Sequence, residues 1–413
     1  MLLSYSVENW MTFSETAALD FAADKRIRHL STNLLDLCDE KYVKSLGVFG
    51  PNNSGKTALI RSLQCLQLLM KGEALPPEYS AFAINHERWR KDDHVVQFAL
   101  SFAVNGRKYD YALGFQPSST ISIVYEELYD YSKGRKRCVY AYGPNREPTS
   151  GVSRALVGLM KGIAPDTPLI RIVKEELAEI KQIKDDFLAF ANSLLFFIPS
   201  EMDFRDGSRL THEYLREGGE KAEKIIDFIK GADAYLDNVR PAITPNEGGF
   251  DLGPYGLWTT YNGFTAPAVI ADSLGTKKIE ALAGFIFKTL ENDGILVVDE
   301  LDSSLFYLLS RAIVSLFNNV ENKGAQLLFT SHDLNLLDTR RLMRKEQIVF
   351  ITRPPHSSPV LVPLKSKTAG NDRVRSGDDI AEKYVREMLV DLPDPSLTDI
   401  LFDIKRRKGG VEG

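Results

Sequence analysis

Cysteine is scarce. Cys38, Cys65 and Cys138 stand far apart, without the paired spacings of a disulfide framework or a zinc site, so the expected compartment is a reducing one. The six histidines, His29, His86, His94, His212, His332 and His356, are equally scattered and offer no two-histidine metal motif. No run of about 18 uninterrupted apolar residues occurs, and the opening MLLSYSVENWMTF lacks a cationic start before an apolar stretch. These absences argue against a membrane-spanning helix and a secretory leader, and the expectation is a soluble, cytoplasmic protein. Positive charge is not in excess either: Lys+Arg 51 against Asp+Glu 56 leaves −5, which excludes a surface coated for nucleic acid. DNA contact is then confined to a local patch, either Lys133 to Arg137 or Lys405 to Lys408, and such runs are more often solvated surface. Internal repeats and low-complexity tracts are also missing.

What is present suffices for a large core: 413 residues, 44% hydrophobic and 26% charged. The periodicity divides the chain. Leu2 to Val7 and Lys44 to Phe49 read as strands, the second running into a Gly/Pro/Asn turn and a periodic helix, Thr57 to Met70. Alternating residues from His94 to Val104 and Lys108 to Phe115 flank Asn105-Gly106, and Ile121 to Tyr131 repeats the pattern, an antiparallel meander. Residues 146–240 carry helical spacing among many charges and read as a helical insertion. Helix (Thr276 to Leu290), strand (Ile295 to Val298), helix (Ser304 to Asn318) and strand (Gln326 to Thr330) then alternate, with further strands at Gln347 to Thr352 and Val360 to Leu364. The expected organisation is an N-terminal core part, 1–145, the insertion 146–240, a second core part 241–365, and a charged helical tail 366–413.

Gly50-Pro51-Asn52-Asn53-Ser54-Gly55-Lys56-Thr57 fits the phosphate-binding loop G-x-x-x-x-G-K-[ST] in its required setting, an apolar strand before and a helix after. Its glycines let backbone N–H groups of Asn52, Asn53, Ser54 and Gly55 curl around phosphate, Lys56 reaches the β- and γ-oxygens, and the Thr57 hydroxyl is a Mg²⁺ ligand. Ile295 to Val298 is an apolar strand ending in Asp299-Glu300. Asp299 at such a strand end holds Mg²⁺, and Glu300 after it is placed to polarise an attacking water. Thr330-Ser331-His332-Asp333 closes the next strand, so His332 falls where open α/β sheets bind ligands and can donate to a γ-phosphate.

These residues resemble the ABC-type ATPases, in which a strand ending in Asp-Glu (Walker B) precedes a D-loop, here Asp302-Ser303-Ser304-Leu305, and then a switch histidine. Ala271 to Lys278 begins the helix before that strand, the place of the ABC signature. The resemblance implies that Ser273 and Gly275 bind the γ-phosphate held by a second copy, with Asp302 beside it. By motif alone Ser273 reads equally as a helix cap, and one glycine followed by Thr276 departs from LSGGQ. More narrowly, the opening Tyr5 to Trp10, the loop GPNNSGKT, Ser273-Leu274-Gly275-Thr276 with Ala281-Leu282-Ala283, and Val298 to Leu305 resemble the prokaryotic AAA_15/AAA_21-type ATPases, relatives of SMC, RecF and OLD proteins. Where those relatives often carry Asn-Phe-Arg, this chain has Asn9-Trp10-Met11.

The resemblance implies an α/β fold, an ABC-type P-loop ATPase core with a β meander and a helical insertion. ATP and Mg²⁺ are the implied cofactors, and the implied assembly is a head-to-tail homodimer through shared ATP sites, with higher assembly left open. Many such ATPases belong to abortive-infection and other anti-phage systems. Only about 60 residues follow Ile351, too few for a nuclease domain. The expectation is therefore a sensor or regulator working with a separate effector, a nuclease or toxin. A RecF- or SMC-like DNA-repair ATPase is the alternative, and a transporter motor is disfavoured by the signature.

Overall fold

The structure, a computed structural model, describes residues 1–37, 39–77, 79, 95–117, 122–131, 134–143, 167–168, 170, 178–200, 204–354, 357–367, 374 and 378–392. Its first elements are β1 (Leu2–Glu8), β2 (Ala17–Asp20), β3 (Leu34–Leu37), β4 (Glu40–Val43), β5 (Ser45–Phe49), α1 (Lys56–Lys71), β6 (Val96–Val104), β7 (Arg107–Gln116), β8 (Ser122–Asp130) and β9 (Arg137–Tyr142). Six of these strands form an antiparallel sheet in the order β2-β1-β6-β7-β8-β9. Alternation is the cause: β6 buries Val96, Phe98, Leu100 and Phe102 on one face. Asn105 and Gly106 both take positive φ, 52° and 74°, which matches a tight hairpin to the twist of its strands.

The remainder carries α2 (Ala178–Ser193), β10 (Leu194–Phe197), α3 (Arg209–Glu217), α4 (Gly219–Ala232), β11 (Asn238–Pro241), β12 (Leu257–Tyr261), β13 (Phe264–Pro267), α5 (Leu274–Glu291), β14 (Ile295–Val298), α6 (Tyr307–Phe317), β15 (Gln326–Ser331), β16 (Ile348–Thr352), β17 (Val360–Pro363) and α7 (Ile380–Val385). A second six-stranded sheet runs β10-β14-β15-β5-β16-β17, parallel from β10 to β16 and antiparallel only at β17. Every residue of β5, β14 and β15 is buried, as continuous apolar strands covered on both faces must be. One core joins the meander to α1 and α2; the other gathers α3 to α6 on the opposite face. Strand β5 feeds both, with Leu46 and Val48 in the first and Phe49 in the second, so the loop after it emerges at the seam.

The structure differs from the sequence reading at three places. Leu194–Phe197, inside the stretch read as a helical insertion, is an edge strand of the parallel sheet, paired in register with Ile295–Val298. The helix before it packs on the core: Phe190 stacks on Phe102 at 4.4 Å, and Gln67 donates to the carbonyls of Ala191 and Leu194. The helix expected from Ser304 begins at Tyr307, because Ser304 itself is left-handed at φ 61°. Within the described part of the expected tail, α7 stops at Val385, Glu387 takes φ 57°, and Leu389 and Val390 turn into the core. Residues 393–413, with the Lys405–Lys408 run, lie outside the described residues, as do Cys38 and Lys133.

Candidate functional site

The carboxyl ends of β5, β14 and β15 lie side by side, and the loop after each carries one of the sequence motifs. A Cβ on Gly50 would strike the carbonyl of Ile351, so only glycine lets the chain leave β5 there. Asn53 (φ 59°) and Gly55 (φ 105°) then curl the loop before α1 starts at Lys56. The opening segment backs this loop. Trp10 is fully buried with its indole N–H donating to Ala58 O at 2.8 Å, and a Cβ on Gly55 would lie 3.2 Å from Phe13 and Thr12.

The ammonium of Lys56 is parked on its own loop, donating to the carbonyls of Gly50 and Pro51 at 2.9 Å each. Burial pulls its pKa down to about 8, against the pull of Asp299, Glu300 and Asp302, so it is charged at neutral pH. The hydroxyls of Ser54 and Thr12 are buried without a hydrogen-bond partner. Buried hydroxyls without partners beside a curled loop and a buried cation suit phosphate oxygens, so these residues fit a nucleotide phosphate.

Asp299 is the hub of the hydrogen bonds between these loops. Its two oxygens accept from Thr57 Oγ1 at 2.7 Å and Thr330 Oγ1 at 2.6 Å, and its own N–H donates to Phe197 O at 3.0 Å. Thr330 Oγ1 in turn accepts the Glu300 N–H at 2.7 Å, while Glu300 sits in the left-handed region at φ 51°. The donor set of one hydroxyl and one carboxylate suits the oxygen preference of Mg²⁺. Asp302 accepts the His332 N–H at 3.1 and 3.2 Å from its two oxygens, which binds the D-loop to the histidine turn. Burial first, and then the Lys56 charge, hold His332 below the ordinary histidine pKa despite the nearby acids, so its ring is neutral at pH 7.

Phosphate loop, Walker B pair, D-loop and histidine thus converge within one chain. Ser273 and Gly275 do not join them by hydrogen bonds: Ser273 caps α5, its Oγ accepting the Thr276 N–H at 3.1 Å and meeting Thr276 Oγ1 at 2.9 Å. Gly275 packs against the D-loop, where a Cβ would lie 2.5 Å from Ser304 O. Sequence reasoning passed over four residues of this site, Thr12 among them. Thr330 was visible only as the neighbour of His332. Trp10 was legible as a departure from Asn-Phe-Arg, without a role. Lys278 is buried at the D-loop, and nothing in its sequence setting marks it apart from Lys277. In the Lys133–Arg137 run, Lys136 is bound to Asp110 at 2.9 Å and lies over the Tyr129 ring, and Arg137 pairs with Asp130 at 2.6 Å. Among the described residues, no helix is long and apolar enough to cross a membrane and no cluster of three or more His, Cys, Asp or Glu could hold a metal.

A family model described as "AAA domain, putative AbiEii toxin, Type IV TA system" (AAA_21) matches residues 45–338, from the first residue of β5 to beyond the histidine turn. The chain belongs to this family. The AAA_21 match encloses every motif of the site, and the fold is that of a P-loop ATPase. Solved structures similar to it include two SMC heads. The SMC head domain from Thermotoga maritima has 14% identity and a TM-score of 0.42, over 88% of this chain and 98% of that one. An SMC head crystallised with the C-winged helix domain of ScpA has 12% identity and a TM-score of 0.43, over 88% of this chain and 99% of the other. No curated protein matches this AAA_21 chain.

Proposed function

We propose that this AAA_21 chain binds ATP with Mg²⁺ on the Gly50–Thr57 loop, hydrolyses it in a site completed by the signature turn of a second copy, and acts as the sensor or regulator subunit of an anti-phage, abortive-infection system with a separate effector. The hydrogen-bonded chain from Thr57 through Asp299 and Thr330 to the Glu300 N–H carries the ATPase part of this reading. It couples the phosphate loop to the Walker B strand and fixes the backbone of Glu300. The defence part rests on the family's description, which names a toxin of a toxin–antitoxin system.

Thr57 and Asp299 would hold Mg²⁺, which supplies neutralisation of phosphate charge. Lys56 exchanges the carbonyls of Gly50 and Pro51 for phosphate oxygens, keeping its charge in a buried place where it counts most. The Glu300 carboxylate orients the attacking water and takes up its proton. Neutral His332 presents a ring N–H toward the terminal phosphate, held in place because its backbone is anchored on Asp302. Ser273 and Gly275, at the N-terminus of an 18-residue helix, offer a hydroxyl and free N–H groups to the phosphate of the second copy.

Phosphate release by the purified chain with Mg-ATP tests the enzymatic part, and absence of turnover by the wild type while Glu300→Gln binds ATP equally would leave a nucleotide-binding switch only. Phage plating on cells carrying the chain with its neighbouring genes tests the defence part. Protection that survives Lys56→Ala would separate defence from ATP. Of the described cations in the Lys133–Arg137 run, Arg135, Lys136 and Arg137, the last two are bound to carboxylates of the same sheet, so the run lends a DNA-loading role little support.

A further inference from the structure

Lys278 lies in the second turn of α5 and is 1% exposed. Its ammonium meets the carbonyl oxygens of Glu300 at 2.6 Å, Ser303 at 2.9 Å and Leu301 at 3.1 Å, and the Ser303 hydroxyl at 2.8 Å. Three carbonyls converging on one point repel one another unless a cation sits among them, and here the cation comes from the signature helix. Burial lowers the Lys278 pKa to about 8, with Asp302, Glu300 and Asp299 opposing, so the ammonium is charged at neutral pH. The turn it holds is an unusual one: Glu300 and Ser304 both take positive φ, 51° and 61°, and such backbone persists only where its surroundings impose it. The same turn carries the Glu300 carboxylate and Asp302, the anchor of the histidine turn. Gly275, one helical turn before Lys278 and on the same face, packs on the carbonyl of Ser304.

We propose that Lys278 is a positioning residue that locks the Glu300–Ser304 turn to the signature helix, so that contact of Ser273 and Gly275 with a second copy's nucleotide sets the Glu300 carboxylate of their own chain. The inference rests on the ATPase reading above. Lys278 touches neither phosphate nor water; it transmits position, and a displacement of about 1 Å at Glu300 is enough to cost about 10²-fold in turnover.

Lys278→Met and the milder Lys278→Gln test this by a split of constants in the full-length protein. The expected result is a kcat for Mg-ATP lowered about 10²-fold for Met and about 10-fold for Gln, with nucleotide Kd by calorimetry within about 3-fold of wild type and ATP-driven dimers still formed. If Lys278 only supported the fold, its loss would instead raise Kd and lower kcat together, and that result overturns the proposal. Wild-type kcat in folded Lys278→Gln overturns it as well, even if Lys278→Met fails to fold. In Lys278→Ala, ethylammonium added to the assay is expected to restore turnover in a saturable manner, and sodium at equal ionic strength is not. If the wild type binds ATP without turning it over, the ATPase reading fails on its own, before any variant is compared.

Discussion

The phosphate side and the signature side of this chain are finished to different degrees. On the phosphate side, both oxygens of Asp299 and the ammonium of Lys56 find partners in the same chain. On the signature side, Ile270, Leu274, Phe306 and Leu308 stand 63%, 62%, 64% and 52% exposed around Ser273 and Gly275. A cavity of about 540 Å³ is lined among others by Tyr235, Ser273, Gly275 and Phe306. The charged groups beside the phosphate loop, Lys56 and Asp299, are satisfied within the chain, and the hydroxyls of Ser54 and Thr12 there are without a partner. A surface left apolar and open is expected where something else is to be gripped, and under the proposed reading that is a second copy's nucleotide and loop.

The comparison breaks most sharply at Lys56. Lys56→Ala is expected to weaken ATP binding by 10²-fold or more, since the phosphates lose their buried cation, and isothermal calorimetry reads it. Near equal in size, Glu300→Gln keeps binding and slows phosphate release by about 10² or more, because an amide cannot take the water's proton. Ser273→Arg tests the other side. Alone it is expected to be inactive while still binding ATP, and mixing it with Lys56→Ala chains should restore part of the turnover, because one composite site of the mixed dimer keeps an intact loop and an intact signature. If Ser273→Arg turns over ATP at the wild-type rate and still dimerises, Ser273 is a helix cap and the two sides are independent.

Smaller effects sharpen the contrast. Phosphate binding favours protonated Lys56, so the complex holds its proton above pH 8 while the free protein releases it. ATP affinity should therefore be flat below the Lys56 pKa of about 8 and fall by up to about tenfold per unit above it, a slope that Lys56→Met removes. Phe306→Ser should change thermal stability by less than about 0.5 kcal/mol, as an exposed side chain, yet weaken ATP-driven dimers measured by sedimentation.

Legibility followed the range of the forces involved. Ile295–Val298 was readable to the residue because a fully buried strand must be apolar throughout and its carboxylates end it abruptly. The Asn105-Gly106 hairpin was readable because only such residues enter the left-handed region cheaply. Leu194–Phe197 was not, since four apolar residues abutting a helix carry no turn signal, and only the open edge of β14 makes them a strand. Between Val385 and Leu392 the described part of the tail leaves the helix for a related reason: burial of Leu389 and Val390 outweighs local helical preference.

By itself, the sequence determined the phosphate loop, the Walker B pair, the histidine turn and the parallel core between them, because each depends on residues adjacent in the chain and on local backbone preference. Tertiary structure alone decided that Thr330 joins Asp299 to the Glu300 N–H, that Trp10 backs the phosphate loop, and that Lys278 rather than Lys277 holds the D-loop. Those contacts join segments far apart in the chain. A lysine becomes a fastener only where packing strips its water and brings three carbonyls to meet it.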